Sequence, residues 1–459
     1  MGSLDVRPQI KSVLLVNPGW DGIVSKAGKR FNRAWPPLSL MVCASLLEQN
    51  GFFVHIIDGR VDTSWRERLV QLGTQFDKVV LTSSPLDRWQ CPNLELDYFF
   101  QCARLVPPSK LWIMGAHGTL FPELILRQTG AEVVIIGEPE QTLLALCSGR
   151  DWAELPGIAF LQRERMVHTG EPVDLDLGTL PVPAFHLIDI SRYRYELLGD
   201  RFALFEGSRG CPFSCSFCLK VMFGSKVRFK PVEHLLAEVD EAVVRFGVRS
   251  GYFIDLEFSL NRDRTMEICK CLAERRYPFI WCCQTRADSV DRELLYWMKQ
   301  AGCRLIHFGV ESGSEEILDQ TKKGIDLASI RRGIALTTEA GIETACFFMF
   351  GFPGETRVDM ERTIEFSRSL NPTYASFHIV TPYPGTLLHL HLTKQNPGMS
   401  RRINFITHYP SHSQEFLNEM TRKAFRNFYL RPGYIWSRIK AANVKSWINQ
   451  LRLFNGFVH

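Results

Sequence analysis

The run RGCPFSCSFC (Arg209–Cys218) sets Cys211, Cys215 and Cys218 in a C-x3-C-x2-C array, three thiols in one short loop. A cubane of four irons has four corners, so three protein thiolates leave one iron open to a ligand that is not protein. A structural zinc needs a fourth protein ligand, and no histidine or further cysteine lies within a few residues of this loop. Pro212, Phe213, Ser214, Ser216 and Phe217 fill the gaps with residues that shield a cluster and offer backbone amides to its sulfurs. Three core cysteines that happen to be close, and a zinc knuckle, are the competing readings.

A reactive loop of this kind needs a rigid platform, and the chain around it alternates strand and helix. Phe202–Glu206 reads as a strand delivering the loop directly, and Pro231–Phe246 as a helix with Leu235, Leu236, Val239 and Val243 on one stripe. SGYFIDLEFSLNRDR (Ser250–Arg264) is a strand ending in Asp255, Leu256 and Glu257, and FIWCCQTRAD (Phe279–Asp288) puts Arg286 at a strand end. LIHFGVESGS, read as the fifth strand, presents Glu311, Ser312 and Gly313. ETACFFMFGFPGET, read as the sixth, ends in Gly351, Pro353, Gly354 and Glu355. The pattern predicts a partial barrel of parallel strands with its function at their carboxyl ends. A surface salt bridge or a helix cap is the bland alternative for each acidic or basic residue taken singly.

Earlier in the chain, apolar runs at Ser12–Val16, Phe53–Ile57, Lys78–Leu81, Lys110–Met114 and Glu132–Ile136 alternate with helical stretches such as Leu38–Asn50, which closes at Gly51. That is the α/β pattern of a doubly wound, Rossmann-like domain, whose ligands sit beyond the carboxyl ends of its strands. The loops there read NPGWDG, DGR, TSSPLDRWQCPN, GAHGTLFPE and GEPEQT. A proline-rich stretch, LPVPAFHLIDISRYR (Leu180–Arg194), reads as a domain connection. The expected layout is residues 1–150, a linker over 151–200, the barrel over 201–400 and a helical carboxyl-terminal region over 401–459.

The cysteine run resembles that of the radical S-adenosylmethionine (radical SAM) superfamily. The loops of Ser12–Leu146 resemble the cobalamin-binding domain that precedes many radical SAM domains, in the group that includes anaerobic magnesium-protoporphyrin ester cyclases and cobalamin-dependent methyltransferases. The resemblance implies a 4Fe-4S cluster on Cys211, Cys215 and Cys218, with S-adenosylmethionine on the open iron and Phe217 beside it. It implies that Asp255, Glu257, Arg286, Glu311, Ser312, Gly351 and Pro353 approach that cofactor. It places Trp89, Gly115, His117, Gly137 and Glu138 near cobalamin. One departure stands out: the first domain lacks the Asp-x-His-x-x-Gly motif that supplies a histidine below the cobalt, and His117 is not in that context.

The implied reaction draws an electron from a flavodoxin or ferredoxin and cleaves S-adenosylmethionine to a 5′-deoxyadenosyl radical. The radical activates a carbon of a small-molecule substrate (natural-product, lipid or tetrapyrrole type) for methylation. Oxidative cyclisation or hydroxylation without methyl transfer is the alternative. A transfer-RNA methylthiotransferase would need three more cluster cysteines, for which Cys43, Cys91, Cys102 and Cys147 lack context, and a sensor of either cofactor would need no open-iron cluster.

Composition narrows the classes further. A formal charge of +5 on 459 residues is too dilute to argue for nucleic acid. Thirteen cysteines with no secretory leader in MGSLDVRPQIKSVLLV point to a reducing, cytoplasmic setting. The tail NFYLRPGYIWSRIKAANVKSWINQLRLF is basic and aromatic, with Ile435, Ile439, Val444, Trp447, Ile448 and Leu451 at helical spacing. Two helices packed on the barrel are expected there, with peripheral membrane contact as the alternative.

Overall fold

The computed structural model describes residues 9–19, 34–84, 96–395 and 412–441. Its first sheet contains β1 (Ser12–Asn17), β2 (Phe53–Asp58), β3 (Lys78–Thr82), β4 (Leu111–Met114), β5 (Val133–Ile135), β6 (Ile158–Gln162) and β7 (Arg165–His168), in the order β2-β1-β3-β4-β5-β6-β7. The first five are parallel, as the crossover lengths require. Val13, Leu14, Leu15 and Val16 are all fully buried, because helices cover both faces of a parallel sheet and leave no solvent side for alternation. Strands β6 and β7 form an antiparallel hairpin that extends this sheet into the stretch read as linker.

The proline-rich connection is packed rather than loose. Ala184, Phe185, Ile190 and Tyr193 are buried in an apolar cluster that also holds Leu15 and Trp112 of the first sheet and Phe205 and Phe253 of the second. The Tyr193 hydroxyl donates to Asp58 Oδ2 at 2.8 Å, so the connection is tied to the end of β2. Tyr193→Phe removes a buried donor to a carboxylate and is expected to lower stability by about 1–3 kcal/mol. The midpoint of urea unfolding, at unchanged slope, checks this.

Two short ribbons follow: β8 (Arg194–Tyr195) pairs with β9 (Gly199–Asp200), and β11 (Ser208–Arg209) pairs with β12 (Arg228–Phe229). The second large sheet contains β10 (Phe202–Phe205), β13 (Ser250–Phe253), β14 (Ile280–Thr285), β15 (Cys303–Glu311), β16 (Glu343–Phe350) and β17 (Tyr374–Ile379), all parallel and in chain order. This is the six-stranded partial barrel. Tyr252, Cys282, Leu305 and Ala345 share one face with Trp35 and Tyr195, while Phe253, Cys283, Ile306 and Cys346 pack on the other face with the helices.

Two details differ from the expectation. No strand lies between β14 and β15, so LIHF and ETACF belong to the fourth and fifth strands. The sixth is Tyr374–Ile379, a run not expected as a strand. The helix expected over Pro231–Phe246 runs as an α-helix over Val232–Asp240 and widens into a π-turn at Glu241–Arg245.

The carboxyl-terminal helix Gln414–Tyr429 packs on β17. Phe425 stands edge-on to Phe377 at 5.2 Å, and the Tyr429 hydroxyl donates to the Ala375 carbonyl at 2.8 Å. A second helix, Pro432–Ala441, leaves Ile435, Trp436 and Ile439 exposed. Val444, Trp447, Ile448 and Leu451 lie outside the described residues. Among the described residues no helix is long and apolar enough to cross a membrane.

Candidate active site

The cysteine loop leaves β10 through Glu206 and Gly207, runs along β11, and turns at Gly210. The turn demands glycine: φ is +84°, and a Cβ would stand 2.1 Å from the Lys226 carbonyl oxygen. Cys211, Cys215 and Cys218 are in no disulfide, and each is partly exposed. Lys220 Nζ donates to the carbonyls of Cys211 (3.0 Å) and Phe213 (2.6 Å), and the Phe213 amide donates to the Cys211 sulfur. The Ser216 amide donates to the Thr321 carbonyl at 2.7 Å, and the Ser216 carbonyl accepts from the Leu388 amide at 2.8 Å. Phe217 sits edge-on to Phe352 at 5.9 Å, so the loop is braced by the end of the helix Glu315–Thr321, the start of the helix Leu387–Gln395 and the turn after β16.

Burial pushes the Cys211 and Cys215 thiols up, while Lys220 and Arg286 near Cys211, and Lys323 near Cys215, pull the other way. Such thiols stay protonated until a metal displaces the proton. Among the described residues no three His, Cys, Asp or Glu side chains form a single-ion site. A cubane takes each thiolate on a different iron and needs no such convergence. Three cysteine thiols outside any disulfide, a cationic surround and an amide aimed at sulfur suit that donor chemistry.

Around the loop, the strand-end residues are braced by one another. Asp255 accepts from the Gly207 amide (2.9 Å) and the Ser208 hydroxyl (2.6 Å), which holds the entry to the cysteine loop against β13. Glu257 accepts from the Arg286 amide (2.7 Å), the Ser289 hydroxyl (3.0 Å) and the Thr285 hydroxyl. Burial raises both carboxyls. Arg286 pairs with Asp288 at 2.9 and 2.7 Å, donates to the carbonyls of Lys323 and Gly324 at 2.6 and 3.1 Å, and lies 4.1 Å over the Phe213 ring. Glu311, in left-handed backbone at φ +67°, pairs with Lys323 Nζ at 2.6 Å. Ser312 Oγ lies 3.1 Å from Thr363 Oγ1 and caps the Ser314 amide. Pro353 is half-buried in the turn after β16.

Gly351, at φ +94°, donates its amide to Glu355 Oε2 at 2.5 Å, and the Phe352 amide joins it at 3.1 Å. Glu355 Oε1 is buried without a hydrogen-bond partner, and burial lifts the carboxyl from its ordinary 4.5 to about 8. A raised carboxyl stays protonated in the folded chain while the unfolded chain ionises. Its contribution is therefore intact below pH about 4.5 and is lost as pH rises through about 8. Glu355→Gln is expected to gain stability relative to the wild type as pH climbs across that window, read from unfolding midpoints at pH 5 and pH 8.5.

In the first sheet, Gly115 (φ +107°) turns β4 tightly against Ser83 and Ser84, where a Cβ would come within 2.8 Å of Ser84 Oγ. His117 is fully buried, its Nδ1 2.9 Å from the Ser83 carbonyl. Gly137 turns at φ +68°, and Glu138 pairs with Arg209 and Arg228. Trp89 lies outside the described residues. Asn17, at the carboxyl end of β1, gives its amide to Asp58 at 3.0 Å and leaves Oδ1 buried without a hydrogen-bond partner. That orphaned acceptor stands where β1 lies between β2 and β3, the crossing at which doubly wound sheets bind ligands. Burial lifts the adjacent Asp58 carboxyl to about 6. Lys323, Arg209, Glu140, Asn17 and Asp58 were not singled out from the sequence. Their partners are distant in the chain or carry no motif.

Residues 205–367 match the radical SAM superfamily. An uncharacterised methyltransferase of Pyrococcus horikoshii is 27% identical over 92% of this chain and 94% of its own length. The anaerobic magnesium-protoporphyrin IX monomethyl ester cyclase of Cereibacter sphaeroides is 28% identical over 86% of this chain, which spans 66% of that relative. Among solved structures, the cobalamin-dependent radical enzyme OxsB with aqua-cobalamin and S-adenosylmethionine bound has a TM-score of 0.74 at 18% identity, covering 98% of this chain and 72% of OxsB. That likeness is one of fold, and it extends across both sheets. With three cysteine thiols at the head of its partial barrel, the chain carries a radical SAM domain over residues 205–367, and a doubly wound sheet precedes it as in the fold of OxsB.

Proposed function

We propose that the chain is a cobalamin-dependent radical SAM methyltransferase that methylates an unactivated carbon of a small molecule. The observation that carries this reading is the loop of three reduced, partly exposed cysteines among braced strand-end groups, behind a sheet whose switch point holds an orphaned polar acceptor. When bound, the cluster and S-adenosylmethionine supply one-electron cleavage of a sulfonium and hydrogen-atom abstraction, and cobalamin supplies the methyl group.

The protein's part is to hold and enclose. Cys211, Cys215 and Cys218 would hold three irons, with Phe217 and Phe352 shielding one side. Glu257, Arg286, Glu311 and Ser312 at the ends of β13 to β15, and the Gly351–Pro353 turn after β16, would line the nucleoside and methionine portions. Asn17, Gly115 and the loop before Glu138 would line the corrin side. The electron donor would be a flavodoxin or ferredoxin.

A second reading, oxidative cyclisation without methyl transfer, is favoured by the similarity to the ester cyclase. Anaerobically reconstituted protein supplied with methyl-labelled S-adenosylmethionine and candidate substrates separates the two. A product heavier by one labelled methylene unit supports methylation, and an oxidised product without label supports cyclisation.

A further inference from the structure

Arg209 lies two residues before Cys211 and its side chain has no solvent exposure. Its guanidinium donates through Nε to Glu206 at 2.9 Å, through Nη1 to Glu138 at 2.7 Å and Glu140 at 3.3 Å, and through Nη2 to Glu140 at 2.6 Å. Glu206 belongs to the barrel, at the end of β10. Glu138 and Glu140 belong to the loop and helix start after β5 of the first sheet. Glu138 is shared with Arg228 on β12, the strand that pairs with Arg209's own strand. The Phe223 ring faces the guanidinium at 5.1 Å. Two guanidinium groups thus meet three carboxylates, all nearly enclosed.

The placement of this network matters more than its count. A planar fork with donors on three sides fixes orientation as well as distance, which a lysine cannot do. Beside it, Thr119 donates its hydroxyl to the Gly115 carbonyl at 3.0 Å, accepts from the Gly137 amide at 3.0 Å and lies 3.7 Å from Met222 Sδ, so the same two loops of the first sheet also meet the segment after Cys218. The cysteine loop is therefore held on both flanks by the amino-terminal domain.

We infer that Arg209 is a positioning residue that sets the cysteine loop in register with the amino-terminal sheet, so that the geometry of the cluster depends on carboxylates of the other domain. Its side-chain partners are the three carboxylates and the Phe223 ring. Its effect runs through the backbone of Ser208 to Gly210. The part that concerns the cluster rests on the proposed cluster function; the latch itself does not.

Glu140→Gln keeps the shape of a side chain remote from the cysteines and removes one charge from the fork. Glu123→Gln, an exposed change in the same domain, is the control. Hydrogen exchange in metal-free protein reads the latch directly. Amides of residues 207–211 are expected to exchange about tenfold faster in Glu140→Gln, and faster again in Arg209→Lys, with Glu123→Gln unchanged. Iron loss to a chelator from reconstituted protein is expected to quicken in the same order, at temperatures equally far below each melting point. Equal exchange at 207–211 in wild type and Glu140→Gln overturns the inference, even if Arg209→Lys fails to fold. If wild-type protein takes up no iron, the cluster function fails while the exchange data still judge the latch.

Discussion

Cys215→Ala is expected to abolish assembly of a complete cluster and to lower cleavage of S-adenosylmethionine by at least about a thousandfold, because the protein itself offers no other route to that chemistry. The fold should survive. Cys215 is partly exposed, and its loop is anchored through Ser216, Phe217 and Lys220 rather than through the thiol, so the stability change should stay within about 1 kcal/mol. Cys211→Ala and Cys218→Ala should behave alike, since each thiolate would serve a separate iron. Iron and sulfide analysis, together with melting curves of the metal-free proteins, checks both halves of the expectation. Full turnover in any one of the three variants would contradict it.

Lys323→Met has the next largest expected effect, through a different cause. Lys323 Nζ is enclosed with Glu311 at 2.6 Å and the Gly309 carbonyl at 2.6 Å, at the end of β15 and beside the cysteine loop. Removing the ammonium leaves the Glu311 carboxylate buried without its paired cation, which destabilises by about 3–5 kcal/mol. Lys323→Met/Glu311→Gln should recover much of that loss, because a neutral pair leaves no orphaned charge. Chemical denaturation of the three proteins closes the cycle. A double variant no more stable than Lys323→Met would show that the pair is not the source of the effect.

The cysteine array was legible because its chemistry is local: three thiols within one loop declare themselves by spacing alone. The strands of both sheets were legible for a similar reason, since runs such as SVLLVN and LIHFGVE have a period or an apolar density that few other structures share. Tyr374–Ile379 was missed as a strand because YASFHI leads straight into a proline-rich turn that dominates its neighbourhood.

What the sequence concealed is what the strand-end residues do for one another. Asp255, Glu257, Arg286 and Glu311 were read at strand ends, and in the structure they stand at or just after the carboxyl ends of β13, β14 and β15. Their partners Gly207, Thr285, Asp288 and Lys323 follow from tertiary proximity and carry no motif. The Arg209 network joins residues about seventy positions apart, beyond the reach of any periodicity. Likewise Tyr193 and its neighbours read as linker from their prolines, yet they fill the seam between the two sheets. Proline marks a constraint on the backbone, and burial then decides whether the constrained segment is loose or packed.

The account rests on an iron at the Cys211–Cys215–Cys218 loop that keeps one position for S-adenosylmethionine. Electron paramagnetic resonance of anaerobically reconstituted, dithionite-reduced protein, titrated with S-adenosylmethionine, tests it most directly. The account predicts a 4Fe-4S signal whose g-values shift saturably as the cofactor is added. A fully assembled cluster whose spectrum is indifferent to S-adenosylmethionine would contradict it.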